Sequence, residues 1–318
     1  MARASVIIAT RNRPHLVTRA VQSAALSGSD LEIVVVDDGS SEETGRLCRD
    51  LRGVKYVRLE KNIGTGGARN AGIRAATSDY LSFLDDDDVR LAQTLDRQIE
   101  ILDHEPAVAL VYGQALVDSD GTVQNGKPYP AACPQGDVFL ELLTQNFIPS
   151  GSVLFRRSCL DTSGLLNEKI SGIEDWDLWV RIAEHHPVRA LDAPVMVWRR
   201  SQPGSAQLTS RADRVVALSV QQFQRWMDLP RAAAASSEVR RQVWEKFCVN
   251  MAEHLIYESI RALGHRQIRR PAAYLSLLPR LESWTLVRVA SQRLRRTQST
   301  SLERSSIVSD QVTNDPRS

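Results

Sequence analysis

Two short apolar runs dominated by branched side chains, 5–9 (SVIIA) and 32–36 (EIVVV), constrain the fold of this chain more than any other feature. Runs this brief and this continuous fit strands buried on both faces. Between them, 15–27 has a helical pattern, and Pro14 stands where a helix start tolerates a missing amide hydrogen. The result is a βαβ unit. The alternation continues with a helix at 41–51, a strand at 55–59, a helix at 67–76 and a strand at 80–84. Such alternation predicts an α/β fold with a mostly parallel, Rossmann-like sheet flanked by helices. In open sheets of this kind ligands bind beyond the carboxyl ends of the strands, which singles out the segments after Ala9, Val36 and Leu84.

Further along, 91–102 reads as a helix, and 108–112 and 152–156 read as strands that make the sheet mixed. Beyond Gln207 the pattern becomes helical at 211–228, 236–264 and 271–295, a helical C-terminal extension. Residues 297–318 are polar, free of aromatics and rich in Ser and Thr, so a disordered tail is expected there.

At 318 residues with 42% hydrophobic content, the chain can bury a sizeable core. The four cysteines, at 48, 133, 159 and 248, are too far apart in sequence for a zinc or redox pair motif, so reduced thiols are expected. No run of about 20 apolar residues is present, and the 6–9 run is too short for a signal core. A cytoplasmic location follows as an expectation. Residues 261–318 hold eleven arginines against four acidic residues, a local net of +7 that leaves about −5 on the rest. These arginines are interleaved with Leu and Trp without a recognisable nucleic-acid module, so no nucleic-acid partner is expected. Segment 261–296 reads either as an ordinary packing helix or as a surface helix touching anionic lipid at the membrane's inner face.

Asp85, Asp86, Asp87 and Asp88 follow the strand YLSFL directly and crowd four carboxylates into one turn. Hard oxygen ligands at this density suit Mg2+ or Mn2+, whose shell is commonly completed by substrate phosphates. A solvated acidic turn at a helix start is the alternative. The second loop, Asp37-Asp38-Gly39-Ser40, could present one carboxylate to a base or ribose, or could simply be a tight turn with a capping serine. Gly64, Gly66, Gly67 and Gly72 follow the third strand, but they lack the third glycine of G-x-G-x-x-G and the lysine of a P-loop. Arg69 and Asn70 nevertheless offer donors toward an anionic ligand. Residues 172–179 (GIEDWDLW) place acids and aromatics at a helix start, where Leu178, Ile182 and Trp179 could face the core.

The ordered set SVIIATRN, VVVDDGS, NIGTGGARNAGI, YLSFLDDDD and GIEDWDLWVRIAE closely resembles family 2 glycosyltransferases of the GT-A fold, over roughly residues 3–205. The resemblance implies inverting transfer from a nucleotide-sugar donor to a hydroxyl of a glycan, lipid-linked glycan or small molecule. It implies a catalytic domain at 1–207, with a nucleotide part to about residue 90 and an acceptor part from about 91, followed by a helical region at 208–296. Thr10, Arg11, Asp38, Gly67, Arg69, Asp85 and Asp86 would bind the nucleotide, and Asp87 the Mn2+ or Mg2+. Asp175 would be the general base, with Glu174 and Trp176 shaping the acceptor side. The acidic corner and the Glu174/Asp175 pair would then share one pocket. Two positions depart from the family: Arg11 stands where many relatives carry a base-stacking tyrosine, and Ser201 stands in the neighbourhood of a metal-binding histidine. Gln222-Phe223-Gln224-Arg225-Trp226 also spells the Q-x-x-R-W motif of processive synthases. Without membrane-spanning helices it reads as a chance match. A sugar nucleotidyltransferase would need a glycine- and lysine-rich first loop, where this chain has Thr10-Arg11-Asn12-Arg13-Pro14, and a binding protein without catalysis is the other rival reading.

Overall fold

The structure, a computed structural model, describes residues 2–118, 128–199, 211–267 and 269–281. Its first part runs β1 (Ala4–Thr10), α1 (Pro14–Ala25), β2 (Leu31–Asp37), α2 (Glu42–Asp50), β3 (Val54–Arg58), α3 (Gly64–Ala75) and β4 (Tyr80–Asp85). The four strands are parallel, with β1 between β2 and β4 and β3 outside β2. The branched runs are buried on both faces, as their continuity requires. Val6, Ile8, Ile33 and Val35 pack with Val17, Ala20 and Ala24 of α1. Ile7 and Val36 point the other way and meet α3 at Gly72.

The chain continues through β5 (Val89–Arg90), α4 (Thr94–His104), β6 (Leu110–Asp118), β7 (Pro128–Tyr129), α5 (Phe139–Leu142), β8 (Leu154–Arg156), α6 (Leu160–Ser163), α7 (Glu174–Ala183) and β9 (Val188–Arg199). Two helices follow, α8 (Ala212–Met227) and α9 (Pro230–Ala234). The sheet order is β3-β2-β1-β4-β8-β6-β9-β5, with β7 on β6. It turns mixed where expected, because β8 runs antiparallel to both β4 and β6. The longest strand, β9, escapes the sequence reading. Pro194 interrupts its pattern, and the strand absorbs it through register shifts against β6 on both sides of Gln114.

Met1–Ser236 forms one compact unit, and the residues from Ser237 form a second. In the second unit α10 (Ser237–Gly264) packs with α11 (Arg269–Leu275), and a short 3-10 turn follows at Leu278–Arg280. The helix expected at 271–295 is therefore already interrupted within its described portion, and its remainder lies outside the described residues, as does the 297–318 tail. Among the described residues no helix is long and apolar enough to cross a membrane. All four cysteines are free.

Gly72 lets α3 sit directly on the sheet, since a Cβ there would collide with Ile7 Cγ2 and lie 3.2 Å from Val36 Cγ2. Neither branched side chain can retreat within a packed sheet, so Gly72→Val should destabilise the protein by about 1–3 kcal/mol. Urea unfolding should show this as a lower midpoint at unchanged slope.

Candidate active site

The parallel strands deliver their loops to one edge, and these loops line a cavity of about 470 Å³. That volume suits a small-molecule ligand. Its wall carries Thr10 at the end of β1 with Arg11, Asn12 and Arg13 after it, Asp38 after β2, Gly64, Thr65 and Arg69 of α3, Asp85 at the end of β4 with Asp86 to Asp88 after it, and Glu174 and Asp175 of α7.

The first loop is tied to its neighbours by short polar contacts. Asn12 adopts a left-handed φ of 54°, a conformation asparagine tolerates better than most residues. There its amide N–H donates to Ser40 Oγ at 2.9 Å, while its Oδ1 accepts from Ser41 N at 2.7 Å. Ser40 thus joins two loops rather than capping α2. The two aspartates of the second loop divide their tasks. Asp37 is fully buried and accepts from Ser40 N at 2.8 Å and Tyr56 Oη at 2.7 Å, a structural knot. Asp38 reaches the cavity, its carboxylate accepting from Ile63 N at 2.7 Å and Gly64 N at 3.0 Å, so that it also braces the start of α3.

The acidic corner is partly neutralised by protein cations. Thr10 Oγ1 donates to Asp86 at 2.7 Å, and Arg13 reaches Asp86 at 2.8 Å and Asp87 at 3.2 Å. Burial, working against these partners, pushes the Asp86 carboxyl up to about 6. Asp88 is deeply buried among its three acidic neighbours, and burial followed by their repulsion raises its pKa well above the ordinary range. Carboxylate oxygens of Asp85, Asp87 and Asp88 lie within 4.8 Å of one another, an arrangement of hard donors that could hold a divalent cation.

Arg69 connects this corner to the first turn of α7. Its guanidinium is buried, donates to Asp85 at 2.5 Å, lies 3.7 Å from Glu174 and covers the Phe83 ring at 5.2 Å. Burial opposes the charge, but Asp85, Glu174 and Asp175 together hold its pKa above the arginine range. Asp175 is half-buried, with its Oδ1 accepting from the Trp176 amide at 2.7 Å. Desolvation by the protein around it and the neighbouring Glu174 push its pKa up to about 7.

The acidic corner and the Glu174/Asp175 pair therefore share one cavity, as the sequence implies. Three expected contributors do not line it. Gly67 is buried against Ile63, where a Cβ would collide with that side chain, so it serves helix packing. Trp176 is buried, its Nε1–H donating to Leu142 O at 2.7 Å and its ring lying 4.7 Å from Trp226. Asn70 spends its side-chain amide on the segment leading to α7, bonding Leu166 O and Glu168 at 2.9 Å and accepting from Leu166 N at 3.0 Å. Among the cavity residues to which the sequence reading gives no role are Arg13 of the first loop and Trp198 of β9, next to Arg199, whose amide donates to Asp88 at 2.9 Å. Ser201 lies outside the described residues.

Residues 5–162 match the family model described as glycosyl transferase family 2. An uncharacterized glycosyltransferase of Nostoc is 32% identical over 192 residues, 55% of this chain and 56% of that protein. A GalNAc(5)-diNAcBac-PP-undecaprenol beta-1,3-glucosyltransferase of Campylobacter jejuni is 29% identical over 194 residues, 57% of this chain and 60% of that protein. The chain spans 56%, 35% and 36% of the length of three curated relatives it matches. The mannosyltransferase PcManGT of Pyrobaculum calidifontis, solved with GDP-Man and Mn2+, has a TM-score of 0.54 at 18% identity, covering 94% of this chain and 83% of its own. That likeness shows the GT-A fold. With the family model, the family motifs in sequence order and this fold in agreement, residues 5–162 form a glycosyl transferase family 2 domain.

Proposed function

We propose that this chain transfers a glycosyl group, with inversion, from a nucleoside-diphosphate sugar to an acceptor hydroxyl, with Asp175 as general base. The observation that carries the reading is that two acidic groups, the Asp85–Asp88 corner and Glu174/Asp175, line one cavity and are bridged by Arg69. A carboxylate near pKa 7 is well matched to taking a proton from a hydroxyl at neutral pH. As the acceptor oxygen bonds to the anomeric carbon, the bond to the diphosphate breaks and the acceptor proton passes to Asp175. One carboxylate on the acceptor side suffices, and no covalent enzyme intermediate forms.

The donor set fits Mn2+ or Mg2+, since Asp85, Asp87 and Asp88 converge as oxygen ligands. Such an ion, when bound, neutralises charge developing on the diphosphate. Arg13, already within reach of Asp87, would support the same phosphates, while Asp38 and Arg11 would lie toward the base and Thr10 and Asp86 near the nucleotide. The Campylobacter relative's name points to a lipid-linked glycan as the acceptor, with which the basic segment from residue 261 onward is compatible through contact with anionic lipid.

Asp175→Asn should lower turnover by roughly 10²–10⁴-fold while leaving donor KM little changed, measured as diphosphate release from a panel of nucleotide sugars with Mn2+. Because the base acts unprotonated, kcat of the parent enzyme should climb as pH rises toward about 7 and flatten above it. Near-parent turnover in Asp175→Asn would remove the base assignment.

The crowded corner makes a second prediction. Asp86 has a folded pKa of about 6 against an ordinary 3.8, so between those values the folded state holds the extra proton. Its contribution to stability is therefore present below the lower value and lost as pH rises through the upper one, by at most about 3 kcal/mol. Asp88 acts in the same sense. Chelator-treated protein should lose Tm relative to an Asp86→Asn/Asp88→Asn variant as pH rises from about 4 to 7. Saturating Mn2+ at 100 times its Kd should restore about 2.7 kcal/mol, a gain that calorimetry should find missing in Asp87→Asn.

A further inference from the structure

Helix α8 contributes no residue to the cavity wall, yet it grips the helix that does. Gln222 and Trp226 are both buried. Gln222 Nε2–H donates to Asp177 Oδ1 at 2.7 Å, and Trp226 Nε1–H donates to the same oxygen at 3.0 Å. The second oxygen of Asp177 accepts from Arg181 at 2.9 and 2.8 Å. Asp177 lies two residues after Asp175 in the first turn of α7. Side chains two apart in a helix point to nearly opposite sides. Asp175 accordingly faces the cavity while Asp177 faces the core, and the hold on Asp177 is a hold on the back of the catalytic turn. The Trp226 ring, 4.7 Å from Trp176, presses on the residue between them.

We propose that Gln222 and Trp226 are positioning residues: through Asp177 and Trp176 they fix the first turn of α7 and with it the direction in which Asp175 presents its carboxylate. Apolar packing alone would leave that turn free to slide or rotate slightly, whereas two convergent donors on one buried oxygen define its place. Arg225, the third polar member of the five-residue match, is exposed, so the match does not act here as a unit. The inference rests on the reading of Asp175 as the base.

The test compares Gln222→Met, which keeps bulk but loses the donors, and Trp226→Phe, which keeps a ring against Trp176 but loses the N–H, with the full-length parent. Hydrogen exchange of the peptide spanning 172–180 should accelerate in both variants, while peptides from β1 to β4 exchange as in the parent. Diphosphate release should show kcat reduced by roughly 10–100-fold with donor KM held within about twofold, since displacing a catalytic group by about 1 Å costs on this scale. Unchanged exchange at 172–180 would overturn the proposal, as would parent-like kcat or a loss confined to KM. Asp175→Asn, run in parallel, separates the two claims. If it stays active, the base assignment fails and the exchange data still decide whether α8 fixes the turn; if it is inactive while both α8 variants turn over normally, only the positioning role fails.

Discussion

A single buried guanidinium lies between two groups of carboxylates that would otherwise repel each other across the cavity. Arg69 donates to Asp85 and lies 3.7 Å from Glu174, so the corner after β4 and the first turn of α7 are referred to the same charge. A buried cation is costly without partners, and paired carboxylates are costly without a cation. Each side of the site therefore supplies what the other needs. α3 can offer Arg69 at this point because Gly72 brings the helix down onto Ile7 and Val36, and because Asn70 fastens the segment leading to α7. The arginine expected at the nucleotide thus does structural work between the two acidic groups.

The same crowding sets the geometry of the acidic corner against stability here. Burial raises Asp86 to about 6 and, with acidic neighbours, raises Asp88 well above the ordinary carboxylate range, so the corner holds its charge reluctantly. Arg13 relieves Asp86 and Asp87 from the first loop, leaving oxygens of Asp85, Asp87 and Asp88 gathered within 4.8 Å. A site that ordered these oxygens only on binding a ligand would lose affinity to the ordering. Here the ordering is accomplished by folding, and its expense appears as perturbed pKa values.

What the sequence discloses and what it conceals follow from the range of the interactions involved. The βαβ pattern was legible because burial on both faces writes itself locally as 5–9 and 32–36, and Pro14 marks the start of α1. The placement of Asp38, Asp85 to Asp88 and Asp175 on one cavity was legible because strand ends and a helix start fix where such residues point. β9 was not, since Pro194 breaks the alternation and only pairing with β6 reveals the strand. Gly67 and Trp176 sit inside motifs whose neighbours line the cavity, but whether a motif residue faces ligand or core depends on Ile63 and Leu142, which no spacing indicates. The Asp177–Gln222 contact joins residues 45 apart in sequence, and a five-residue pattern gives no hint of its partner.

Four adjacent aspartates also need a backbone that does not yield to their repulsion, and the residues just beyond them provide it. Arg90 is fully buried and donates to Ser82 Oγ at 3.1 Å, Gly151 O at 2.6 Å and Gln98 Oε1, with no carboxylate among these acceptors. Burial without an anionic partner lowers its pKa to about 9. An arginine so placed contributes donors and shape more than charge pairing, fastening β5 to β4, to the loop before β8 and to α4. The next amides continue the clamp: β5 pairs with β9, and Arg199 N donates to Asp88. The corner is thus anchored before it by the parallel ladder of β4 with β1 and after it by Arg90 and β9, so repulsion within the turn cannot be relieved by opening it. Relief comes instead from cations at the turn, as Arg13 supplies to Asp86 and Asp87.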